Sequence, residues 1–215
     1  MQRMNQYTIV RSNNKTNWDE VPSLCINCQY DETSGSVKAY AQICCNESSI
    51  LVHLWAEQQE IRAEERGLLG MPCKDSCLEF FFCPNDQDTR YINMEFNINK
   101  CLYLGIGSNL QDLSRIVIEN ANSLFKPKTN YTQKGWEIYF QIPYSFIQRF
   151  FPDFRVFDGK VIRANCYTCS EASNPPYNLS WSRIQGHPLT FHRPQDFGTM
   201  TFRIPSEANT STLNQ

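Results

Sequence analysis

The sequence predicts an all-β fold, a β-sandwich of jelly-roll type with one or two short helical turns. Apolar residues alternate with period two over many short segments, polar turn-forming residues separate those segments, and helical periodicity is scarce. About nine such strands at short spacing read as a sandwich rather than an alternating strand–helix fold.

In chain order, "VKAYAQI" (residues 37–43) sets Val37, Ala39, Ala41 and Ile43 on one face. The turn-like "CCNESS" leads into "ILVHLWA", and "CLEFFFCP" is a nearly continuous apolar strand stopped by Pro84. "RYINMEFNI" places Ile92, Met94, Phe96 and Ile98 on one side and Tyr91, Asn93, Glu95 and Asn97 on the other. "CLYLGIG", "RIVIEN", "WEIYFQIP", "VIRANCYTC" and "TMTFRI" follow, with Trp136, Ile138, Phe140 and Ile142 sharing a face. Helical turns are expected in "PYSFIQRFF" and "EIRAEERGLL". No linker or repeat divides the chain, so residues 1–215 read as one domain with a core over about 18–204 and a frayed polar tail at 206–215.

Composition narrows the partners. A net charge of −2 gives no electrostatic ground for expecting nucleic acid or an anionic membrane. No apolar run approaches the roughly 18 residues of a spanning helix. The start "MQRMNQYTIVRSNN" lacks the apolar stretch of a secretory signal, so a cytoplasmic chain is expected. In that setting the 10 cysteines read as reduced, packed thiols.

No nucleophile elbow, zinc-protease helix or phosphate loop is present. His53 lies inside an apolar strand and reads as a partnered histidine rather than a base. The pairs Cys25/Cys28 and Cys166/Cys169 have zinc-ligand spacing, but two residues three apart on a strand face opposite sides. Calcium has only Asn85, Asp86 and Asp88 to draw on in one short loop. The polar side of "RYINMEFNI" is either a solvated outer face or a concave face offering amides and a carboxylate to a polyhydroxylated ligand. Glu79 and Glu95 on neighbouring strands leave glycoside hydrolysis as an alternative.

The ordered set "WDEVP", "KDSCLEFFFCP", "RYINMEFNI", "WEIYFQIPY", "RANCYTC", "LSWSRI" and "FHRPQDFGTMTF" resembles the carbohydrate-binding module family 9-like domain, over about residues 18–204. The resemblance implies a non-catalytic sandwich that binds a mono- or oligosaccharide, at a chain end, between two aromatic rings. Phe191 stands at the place of one ring, in the loop before the last strand. At the other place Met71, Pro72 and Cys73 stand where a Trp is expected, with Trp55 as the remaining candidate. Asn93, Glu95, Asn97 and Arg163 are the implied hydrogen-bonding residues. The resemblance calls for no cofactor beyond an optional structural calcium, and the same sandwich also resembles haem-holding domains, for which Met94 is a candidate ligand.

Overall fold

The apolar faces read from the alternation meet in one layer between two halves of a curled sheet. This computed structural model describes residues 5–12, 16–29, 37–85, 87–187 and 189–205, so the predicted tail at 206–215 lies outside the described residues. The strands are β1 (Gln6–Arg11), β2 (Ser23–Ile26), β3 (Cys28–Gln29), β4 (Lys38–Cys45), β5 (Ser49–Glu57), β6 (Cys77–Cys83) and β7 (Tyr91–Asn97). They continue with β8 (Leu102–Gly107), β9 (Ser114–Arg115), β10 (Lys128–Tyr131), β11 (Gly135–Pro143), β12 (Val161–Ser170), β13 (Tyr177–Ser180) and β14 (Gly198–Arg203). Two short helices, α1 (Ala121–Phe125) and α2 (Tyr144–Ile147), lie between them.

Hydrogen bonds link the strands in the order β10-β11-β5-β4-β1-β14-β12-β6-β7-β8-β9, with β2 on β4 and β13 bridging β12 to β3. The path folds over at β1, which pairs in parallel with β14 along Gln6–Val10 and with the end of β4. Where the β1–β4 ladder stops, the Tyr7 hydroxyl replaces it: it donates to the Ile43 carbonyl at 3.1 Å and accepts from the Ile43 amide at 2.9 Å. The two halves are thereby stacked as a β-sandwich. Phe96 of β7 meets Phe140 of β11 across the core with ring centroids 4.9 Å apart. Ile92, Met94, Phe80 and Phe82 join from one half, and Val52, Leu54, Ile138 and Ile142 from the other.

Two expectations give way. "EIRAEERGLL" forms no helix, because side chains elsewhere take its backbone groups. Ser76 Oγ accepts from the Arg62 amide, Asp75 accepts from the Glu65 amide, and Asn97 and Asn99 donate to the Glu65 and Ala63 carbonyls. "RIVIEN" contributes only its first residue, Arg115, to the sheet, as the end of β9. The helical turn in "PYSFIQRFF" is α2.

Truncating Phe140 to Ala removes an inter-sheet contact from a site with little room to collapse. Urea denaturation of that variant is expected to show a loss of about 3–5 kcal/mol. A loss below about 1 kcal/mol would mean that the two halves do not pack there.

Candidate functional site

The side of β6, β7 and β12 that faces away from the sandwich core is itself buried. Along β6 this face carries Cys77, Glu79, Phe81 and Cys83, along β7 Tyr91, Asn93, Glu95 and Asn97, and along β12 Arg163, Asn165, Tyr167 and Cys169. Asn93, Asn97 and Asn165 are fully buried, and Glu79 and Glu95 nearly so. Two long connections cover them, residues 58–76 on one side and 181–197 on the other.

The second connection is pinned from below. Asn165 exchanges two hydrogen bonds with Ser182 backbone groups, and Arg163 donates to the Pro194 carbonyl at 3.1 Å. Tyr167 donates to the Phe191 carbonyl at 3.0 Å and stacks on the Phe191 ring with centroids 4.0 Å apart. Tyr91 bonds His192 Nδ1 at 2.7 Å. Within the loop, Arg193 pairs with Asp196 at 2.7 Å, and Asp196 also accepts from the Gln185 amide. Trp181 anchors the start of the loop in the core.

The first connection is held by Asp75, Asn97 and Arg115. The Arg115 guanidinium donates to the carbonyls of Leu68, Leu69 and Gly70 and lies 3.4 Å from Met71 Sδ. It also sits over the Tyr103 ring, 4.7 Å from its centroid. The loop end bearing Met71 is therefore fixed in place.

Between the two connections opens a cleft of about 400 Å³ lined by Met71, Cys73, Glu95, Tyr103, Glu171 and Phe191, with Glu79, Asn178 and Cys169 also reaching it. Phe191 is half-buried, with Tyr167 against one side of its ring. The floor is acidic. Glu79 and Glu95 are directly opposite each other on β6 and β7. Burial, together with the Glu95 carboxylate, holds the Glu79 carboxyl well above the usual range. Burial also pushes Glu95 up to about 7, against the hydrogen bond it accepts from Asn93 at 2.9 Å.

The predicted site residues separate into groups. Phe191 and Glu95 line the cleft, and Asn93 lies beneath it, bonded to Glu95. Asn97 spends its amide on Glu65, Asp75 and the Cys101 backbone, and Arg163 on the 181–197 loop; neither lines the cleft. Trp55 belongs to the other half of the sandwich, stacked between Tyr40 and His53, and so cannot supply the second ring. His53 is partnered by Gln42 and Glu137. Met94 points into the core and does not line the cleft, so the haem candidate is not placed to hold a ligand there. At the calcium candidate loop, Arg90 occupies the Asp88 carboxylate, Lys160 approaches Asn85, and Asp86 lies outside the described residues, so the described oxygens do not fit a cation. Tyr103, Arg115 and Glu171 carry no motif that marks them as ligand contacts in the sequence. Their roles depend on which loops converge.

The family model described as Carbohydrate-binding family 9 matches residues 8–202. A comparison with curated proteins found no match. Among solved structures, a Bacteroides uniformis protein proposed to bind carbohydrate is 22% identical, with a TM-score of 0.78 over 93% of this chain and 100% of that one. A carbohydrate binding module of family 9 from Caldicellulosiruptor kristjanssonii, solved with cellotriose, is 10% identical, with a TM-score of 0.68 over 98% and 100% of the two chains. A family 9 module of the same organism solved with glucose gives 0.66 at 10% identity, over 94% and 98%. At these identities the likeness is one of fold.

Burial holds His192 neutral, lowering it to about 4 from an ordinary 6.5. Between those values the unfolded chain takes up a proton that the folded chain refuses. Stability therefore falls as pH drops through this window, by about 3 kcal/mol for this group. Urea titrations of the wild type and His192→Gln should show the wild type's advantage at pH 7 shrinking toward pH 4. An advantage independent of pH would contradict this assignment.

Proposed function

The chain belongs to carbohydrate-binding family 9, and from that premise we propose that the cleft between Phe191 and Met71 holds one saccharide end without performing chemistry on it. The observation that carries this reading is Phe191 itself. Its ring is backed by Tyr167 and its backbone is fixed by the Tyr167 hydroxyl, so it faces the cleft as a rigid platform. The C–H face of a pyranose stacks on such a ring, while Glu95, Glu171 and Asn178 are placed to bond its hydroxyls. The solved relatives with glucose and cellotriose favour a β-glucan end as the first ligand to test.

Met71 takes the place of a second ring. A thioether fills the space and contacts the sugar softly, but it supplies no π-face. Arg115 holds that loop end by three carbonyls, so a larger side chain at 71 would inherit a defined position.

Binding without turnover follows from the carboxylate geometry. Glycoside hydrolysis needs two carboxyl groups flanking the scissile bond. Glu79 and Glu95 rise side by side from one floor and approach a ligand from the same side. Glu79 is also covered, with Cys169 bonded to its Oε1 at 3.1 Å.

Calorimetric titration with glucose, cellobiose, cellotriose, xylobiose and galactose should give saturable binding for at least one sugar. Phe191→Ala is expected to weaken it about tenfold or more, and Met71→Trp to strengthen it about fivefold through the added ring. No heat with any sugar, or unchanged affinity in Phe191→Ala, would overturn the reading. Release of product from aryl glycosides that is lost in Glu95→Gln would overturn its non-catalytic part.

A further inference from the structure

We propose that Cys77, Glu79 and Cys169 form a binding site for a thiophilic divalent cation, zinc by its chemistry, at the floor of the cleft. The inference stands whether or not a saccharide occupies the cleft.

Strand register builds the site. Cys77 and Cys169 are directly opposite on the antiparallel pair β6–β12, and Glu79 is the next residue of β6 on the same face. Their ligand atoms, one from each residue, all lie within 4.8 Å of one another. Cys169 Sγ is already 3.1 Å from Glu79 Oε1. Tetrahedral zinc, with bonds of about 2.0–2.3 Å, wants its ligand atoms roughly 3.5–4 Å apart, so small side-chain rotations suffice. Because the three Cα positions are set by two central strands, the donors are already gathered before any ion arrives.

A second observation points to a ligand. Glu79 is 1% exposed, and its Oε2 has no hydrogen-bond partner. A buried carboxyl oxygen left in that state is destabilising, and a coordinated cation removes the cost. The groups facing Glu79 are the Glu95 and Glu171 carboxylates and the Cys77 and Cys169 thiols. Cys73 and Glu171 line the cleft at the same end.

Two sulfurs and one carboxylate select against calcium and magnesium, which take oxygen ligands, and favour zinc or its spectroscopic substitute cobalt. Cys169 and Glu79 are almost wholly buried but line the floor of the cleft, so a fourth position on that side would take water or a ligand oxygen, as in an open zinc site. Binding replaces the protons on the two sulfurs by the metal and releases them to solvent. The two C-x-x-C pairs do not form this site: Cys166 points into the core, and Cys25 and Cys28 lie at β2 and β3.

The test uses the full chain, reduced and metal-free, in a Cys25→Ser/Cys28→Ser background that removes the more exposed thiol pair. Cobalt(II) titration should give one ion per chain, with sulfur-to-cobalt charge-transfer absorption and tetrahedral visible bands, both displaced by stoichiometric zinc. Cys169→Ser and Glu79→Gln should each weaken binding about tenfold or more, and Cys169→Ser should lower the charge-transfer intensity by about half, since one of two thiolates is lost. Should a variant fail to fold, the spectrum of the background protein alone decides. Absence of charge-transfer absorption there, undiminished absorption in folded Cys169→Ser, or a Cys77–Cys169 disulfide found by mass spectrometry under reducing conditions would each overturn the proposal.

Discussion

Burial of β6 and β7 on both faces is the constraint from which the rest of the molecule follows. All seven residues of each strand are buried, although only one face of each looks into the sandwich core. The other face carries Asn93, Glu95, Asn97 and Glu79, and buried polar groups cost about 1–3 kcal/mol each when left unpaired. The chain meets that demand with two long connections whose backbone amides and carbonyls supply partners. Those connections flank the cleft, one lending Met71 and Cys73 to its wall and the other Phe191 and His192. The gap between them is the cleft, so the candidate site is what remains after a polar sheet face has been covered.

That origin explains the division of labour among the polar residues. Asn97, Asn165 and Arg163 are consumed in holding the loops, whereas Glu95 and Asn93 sit below the gap. Beneath the gap, Glu79 Oε2 and Asn93 Oδ1 are left without hydrogen-bond partners. A carbohydrate site and a cation site can thus share one floor, because both exploit groups the covering loops leave unsatisfied.

Much of the fold was legible because alternation is a local signal. Ala39, Ala41 and Ile43, or Ile92, Met94 and Phe96, face the core as their spacing requires. β1 and β13 were harder to see, since Tyr7 and Ile9 offer only two apolar positions and "YNLS" only one clear one. The "EIRAEERGLL" segment has helical composition, yet Asp75, Ser76, Asn97 and Asn99 claim its backbone from a distance. At the site, Phe191 and Glu95 could be placed from their family motifs. The Cys77–Cys169 juxtaposition could not, because it depends on register between strands some ninety residues apart, and the conspicuous C-x-x-C spacing points elsewhere. Trp55 illustrates the converse: a loop-end aromatic is easy to nominate, but only topology assigns it to the other half of the sandwich.

The pairing of β1 with β14 has a consequence for how the chain acquires its structure. Gln6–Val10 finds its partners at Thr199–Arg203, so the earlier segment must wait for one made far later in the chain. Closing so long a loop costs chain entropy before any contact rewards it, and topologies dominated by such pairings fold slowly. On the ribosome, β2 to β13 have the opportunity to assemble, and β1 to reach the end of β4, before β14 is made. Until the β1–β14 ladder forms, the facing edges of β1 and β12 are open to wrong partners.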